Sequence, residues 1–244
     1  MKKLAPLLLL APLALGSCGL FNRAPKPVTT ASGTLTDAKV TYDANRNATT
    51  TYTAWSGGAG KVMLDLYDYT AKTTVKEGEA TLAADGKFSF ASLPTPKDSE
   101  LSPYTEETQP TGCTSTVKVS DKGMRSATAI FRTDATKDVS VMLMDAAGKS
   151  ETMGQLFYVD RAVKINGKQE CKNALVTSVS DINVNFAKGW NWVTYKFTTT
   201  RVDDTTPYTV TYTATNGVAS NLKWAQNVSS AQALNLNTLP FTLR

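Results

Sequence analysis

The sequence contains no histidine, so any chemistry must come from carboxylates, sulfur and aromatic rings. Without imidazole there is no Ser-His-Asp or Cys-His nucleophile, no histidine acid-base group and no histidine-held zinc or copper. Asp65, Asp160, Asp181, Asp203 and Asp204 are the carboxylates from which a glycoside-hydrolysing pair would be drawn. Met142 and Met144 stand two apart and share a face of any strand they occupy. Two thioethers there are either core filler or a soft site suited to Cu(I). Asp203-Asp204, ahead of Thr205-Thr206-Pro207, offers two oxygens to calcium but lacks the rest of a ligand loop, and reads first as a solvated turn. No G-x-S-x-G elbow, P-loop or dinucleotide fingerprint is present.

Trp190-Asn191-Trp192 is the feature best suited to binding. In a strand its indoles share one face, while Asn191, Val193, Tyr195 and Phe197 share the other. If only the second face is core, the indoles form an aromatic platform for a glycan or protein partner. The alternative has Trp190 packed under the Lys188-Gly189 turn and Trp192 covering a second core.

The elements that would carry these residues are strands. From about Thr34 the chain is rich in Thr, Val and Tyr, and its apolar period is two rather than 3.6. Tyr208, Val210 and Tyr212 alternate with threonines, the pattern of a strand with one buried and one wet face. Further strands are expected at 61–69, 114–119, 127–132, 139–144, 155–159, 181–186 and 190–198, and a single helical turn is conceivable at 230–236. Asp85-Gly86, Asn166-Gly167 and Asn216-Gly217 are hairpin-turn signals because both residue types tolerate positive φ. The expected fold is all-β, an antiparallel β-sandwich or two packed β units.

The N-terminus reads as an export signal. Lys2 and Lys3 precede about a dozen apolar residues, too few to span a bilayer as a helix. The run ends in Leu15-Gly16-Ser17-Cys18, which resembles the bacterial lipobox. That resemblance implies cleavage before Cys18 and lipidation of it, and Gly19, where an Asp would imply inner-membrane retention, implies outer-membrane delivery. The formal charge of +5 then falls by two, to 5 − 2 = +3, on removal of Lys2 and Lys3. No basic run interleaved with aromatics is present, so no nucleic-acid partner is expected.

Cys113 and Cys171 are left as a pair in an oxidising compartment, where a disulfide is expected. Closing a loop of about 58 residues would contribute about 4 kcal/mol in the chain-entropy model. "DGKFSFASLP", residues 85–94, resembles the closing strand of transthyretin-like or carboxypeptidase-regulatory-like sandwich modules. The resemblance implies a turn at Asp85-Gly86 and core positions for Phe88 and Phe90.

The expected organisation is a signal peptide over 1–17, a lipidated tether over 18–33, an N-terminal β unit over 34–93, a proline-rich linker or long loop over 94–112, and a C-terminal β-sandwich over 113–244. The expected function is that of a non-catalytic bacterial envelope module. It would be held to the membrane through its N-terminal lipid, engage an envelope protein or glycan, carry no cofactor, and serve as an accessory subunit of an outer-membrane or surface-layer complex. The competing expectation is an envelope enzyme without histidine chemistry, either a carboxylate glycoside hydrolase or a copper-handling redox protein.

Overall fold

Alternation of small, β-branched and aromatic residues with polar ones runs through most of the chain, and it folds accordingly. The structure is a computed structural model that describes residues 26–106, 109–200 and 208–226. The lipobox with Cys18, the Asp203-Asp204 pair and residues 230–236 lie outside the described residues. The strands are β1 (Ala31–Tyr42), β2 (Ala48–Ala54), β3 (Gly60–Asp68), β4 (Thr73–Leu82), β5 (Lys87–Phe90), β6 (Ser102–Pro103), β7 (Cys113–Ser115), β8 (Lys118–Val119) and β9 (Arg125–Thr128). They continue with β10 (Ile130–Asp134), β11 (Ser140–Gly148), β12 (Ser150–Val159), β13 (Val163–Lys172), β14 (Val176–Phe186), β15 (Gly189–Thr200), β16 (Tyr208–Asn216) and β17 (Lys223–Gln226). One 3₁₀ turn, Asp98–Glu100, interrupts them. The fold is all-β and sandwich-like, its ladders antiparallel except for β1–β17 and β14–β16.

Two cores organise the ladders. Around the first, strand pairing closes a ring: β1–β5–β4–β3–β10–β11–β17 and back to β1. Leu35, Val62, Leu64, Leu66, Leu82, Phe88, Phe90 and Phe131 point inward there. Trp224 is its aromatic hub, edge-to-face with Phe88 at 5.1 Å, Phe131 at 5.0 Å and Trp192 at 5.9 Å. The ring lies close on the sequence at Gly33, where a Cβ would come within 2.2 Å of the Trp224 ring. The second core, of Phe157, Val159, Val163, Ile165, Ile182, Val184, Phe186, Val193 and Ala214, is walled by β12 to β16 and closed by Met124, Val117 and Val119.

β12 and β15 form the partition between the cores. Leu156 and Tyr158 on β12 face the first core with Trp190 and Trp192 on β15, while Phe157 and Val159 face the second with Val193 and Tyr195. A strand apolar on both faces is buried on both, and the indole-bearing face is therefore interior.

Several expectations change. The division at 94–112 does not separate two sheets: β3 pairs with β10, β2 with β11 and β1 with β17. Strands from residues 34–93 cannot cover their own apolar face without β10, β11 and β17. The tether expected to reach residue 33 ends earlier among the described residues, since Val28 bridges Trp190 and β1 begins at Ala31. Asn166-Gly167 makes no hairpin and sits inside β13, where Gly167 at φ +135° lets the Thr116 carbonyl approach a position a Cβ would meet at 2.5 Å. Asn216-Gly217 ends β16, but the chain continues to β17, which pairs with β1 and β11. β16 instead lies between β14 and β15. The Asn216 side chain extends it by one residue, accepting from Asn185 N at 2.6 Å and donating to Asn185 O at 3.0 Å. Asp85-Gly86 does turn β4 into β5, with Phe88 and Phe90 in the first core.

Candidate functional site

The residues singled out in the sequence scatter into separate roles. Trp190 is 4 % exposed; its Nε1 donates to the Pro94 carbonyl at 2.7 Å and its ring meets Tyr158 at 5.5 Å. Trp192 is half-buried against the Trp224 hub. No exposed indole platform forms, because both faces of β15 are core. Asn191 between them is 4 % exposed and closes the β14–β15 turn, accepting from Ala187 N at 3.0 Å and donating at 2.8 Å to the carbonyls of both Ala187 and Gly189.

Met142 and Met144 do share a face, in a small cluster with Ala38, Ala225, Val40 and Tyr52. That places the thioethers among carbon. The Tyr52 hydroxyl nearby donates to the Met144 carbonyl at 2.6 Å and to Asp145 Oδ1 at 3.1 Å. Burial, then the Asp145 charge, pushes that phenol's pKa up. Cys113 and Cys171, directly paired between β7 and β13, are joined in a disulfide.

The aspartates are held apart by separate cations. Asp181 pairs with Lys168 at 3.2 Å. Asp160 accepts from Arg125 N at 2.9 Å, Arg125 Nε at 3.1 Å and Arg161 Nε at 3.1 Å. Burial pushes its carboxyl up, but the bonds from Arg161 and Arg125 outweigh this and hold it at about 2. A carboxyl so acidic is poorly suited to deliver a proton near neutral pH. Among the described residues, no group of three or more Cys, Asp or Glu is placed to hold a metal ion.

Asp65 is different, and it builds the site. β3 turns Val62, Leu64 and Leu66 into the first core, so Met63, Asp65 and Tyr67 fall on the outer face. The register sets Glu79–Met63–Arg132 in one row across β4, β3 and β10, Lys76–Asp65–Ile130 in the next, and Thr74–Tyr67 beyond. Although outward, Asp65 is 3 % exposed, and its Oδ2 accepts from Arg132 Nε. Its Oδ1 is buried with no hydrogen-bond partner among the described residues. Bonded through Nε alone, the Arg132 guanidinium is 38 % exposed and has no other partner for its terminal amino groups among the described residues.

Two tyrosines lie along the same face. Tyr67 and Tyr69 are about 40 % exposed, their rings edge-to-face at 4.9 Å. Tyr69 N donates to Ser99 O at 2.7 Å and Ser99 Oγ to Asp68 at 2.9 Å, so the 3₁₀ turn fixes this corner. Burial pushes the Tyr69 phenol up, against the Ser102 hydroxyl. Ile130, 39 % exposed, stands opposite Asp65 in the row between those of Arg132 and Tyr67. On the far side Glu79 is held at about 2 by Lys61 and Lys76, whose Nζ atoms lie 2.6 and 2.8 Å away. The face thus offers a positioned cation with free donors, a small aromatic surface and a fixed charge border.

Asp65 was visible in the sequence as a carboxylate, but Arg132, Tyr67 and Tyr69 were not visible as a site. The available signal was Lys61-Val62-Met63-Leu64-Asp65-Leu66-Tyr67, an alternation whose non-core face carries an acid and an aromatic ring. No family model, curated protein or solved structure matches the chain.

Proposed function

We propose that this chain is a non-catalytic binding module of the bacterial cell envelope, carried on lipid at Cys18 and delivered to the outer membrane, where it serves as an accessory subunit of a larger envelope assembly. The observation that carries the binding reading is Arg132, oriented by the buried Asp65 carboxylate with its terminal donors unpartnered beside two partly exposed tyrosines. A guanidinium fixed by a carboxylate loses less freedom on meeting an anion, and its free amino groups present a fork rather than a point charge. The Cys113–Cys171 disulfide fits an oxidising compartment. The lipobox resemblance supports the anchor, since two or more acyl chains hold a protein stably at a bilayer where one does not.

The test is metabolic labelling with a radiolabelled fatty acid followed by affinity capture from native membranes in mild detergent. The wild-type chain is expected to take up label and to bring down the same envelope chains or glycan in repeated captures, and C18S to lose the label. Label persisting in C18S would refute the anchor. Recovery of the labelled chain alone would refute the accessory-subunit reading.

A further inference from the structure

From the geometry of the β3–β10 outer face we infer that it is a recognition site for a carboxylated saccharide, a sugar ring bearing a uronate-type acid. The inference rests on the binding-module reading and gives it a ligand class. Arg132 supplies the charge: Nε is committed to Asp65, and both terminal amino groups remain to donate in parallel to one carboxylate. Tyr67 and Tyr69 supply the ring contact, two partly exposed rings standing edge-to-face at 4.9 Å that offer apolar surface to the flat side of a sugar.

The separation suits an extended chain. Four residue steps along β3 separate the Arg132 row at Met63 from the Tyr67 row, about 13 Å at about 3.3 Å per residue, longer than one sugar ring. Between them lie Ile130 and, on the β4 side, Lys76, whose ammonium is paired with Glu79 at 2.8 Å, so that among the described residues Arg132 carries the unpaired donors of this face. On this face the exposed large apolar side chains are Tyr67, Tyr69 and Ile130. A stable protein partner buries roughly 800 Å² of each surface around well-packed anchors. A narrow strip of rings ending in a cation matches a thin acidic polymer better.

The test is calorimetric titration of the full-length chain at physiological salt with three probes: a galacturonate tetramer, the neutral maltotetraose, and short polyglutamate, which has carboxylates but no sugar rings. The galacturonate tetramer is expected to bind at least tenfold more tightly than either of the others. R132K keeps the charge but loses the fork, and is expected to weaken binding about tenfold. Y67A is expected to weaken it roughly threefold to tenfold with the melting temperature nearly unchanged, because that ring is partly exposed. Absence of galacturonate binding, equal affinity in R132K and Y67A, or equally tight polyglutamate binding would each overturn the inference. None of these results bears on lipid labelling or on captured partners, so failure of the ligand class and failure of the envelope-module reading are separable.

Discussion

Asn191→Asp exchanges one NH2 for an oxygen in the wall between the two cores, and the consequence follows from three hydrogen bonds. The Asn191 amide accepts from Ala187 N and donates to the carbonyls of Ala187 and Gly189. Asn191→Ala removes all three at about 1 kcal/mol each, a loss of about 3 kcal/mol. Asn191→Asp keeps the accepted bond but turns both donors into lone pairs aimed at carbonyl oxygens, and puts a negative charge at a position 4 % exposed. The further cost is about 1–3 kcal/mol, so aspartate should be the more damaging change despite its shape. Its carboxyl would have a folded pKa above the unfolded value, so the destabilisation is largest above the folded pKa. It should shrink as pH falls through that pKa, because the protonated acid can again donate to one carbonyl. Urea melts of both variants at pH 7 and pH 4 measure this. An N191D protein no less stable than N191A at pH 7 would refute the account of the partition.

Two further perturbations test other parts of the frame. Replacing Cys113 and Cys171 together by alanine should lower stability by about 4 kcal/mol in the chain-entropy model, seen as a lower urea midpoint that matches the wild type under reductant. For Asp160, whose pKa of about 2 lies below the usual carboxylate range, the stabilisation is present above the unfolded value near 3.8 and is lost as pH falls through about 2. D160N should abolish about 1–2 kcal/mol of acid-dependent loss, measured as a flatter midpoint-against-pH curve between pH 4 and pH 2.

The strands of the second half were readable because their patterns are local. The expected 181–186 and 190–198 lie inside β14 (Val176–Phe186) and β15 (Gly189–Thr200), and Val210 and Ala214 on β16 point to one buried face. Partners were not readable. Asn216-Gly217 has the composition of a hairpin turn, yet β16 is taken up between β14 and β15, a choice made by the fit of its apolar face to the second core. The same holds for Trp190 and Trp192: alternation assigns them to one face, but distant partners make that face interior, Pro94 and Tyr158 against Trp190 and Trp224 against Trp192. The Asp65–Arg132 pair joins residues 67 apart in sequence. Nothing local to either residue announces the other, and the site becomes visible only when β3 and β10 are laid side by side.

The ring around the first core closes where β1 meets β17, Leu35 against Trp224. That contact spans most of the chain, so the first core cannot shut during synthesis until β17 has emerged. Until then Phe88, Phe131 and the apolar edge of β1 lack the strand that covers them. A topology with so many distant pairings folds late and slowly. Until β17 arrives, those waiting edges are what a holding chaperone would have to cover.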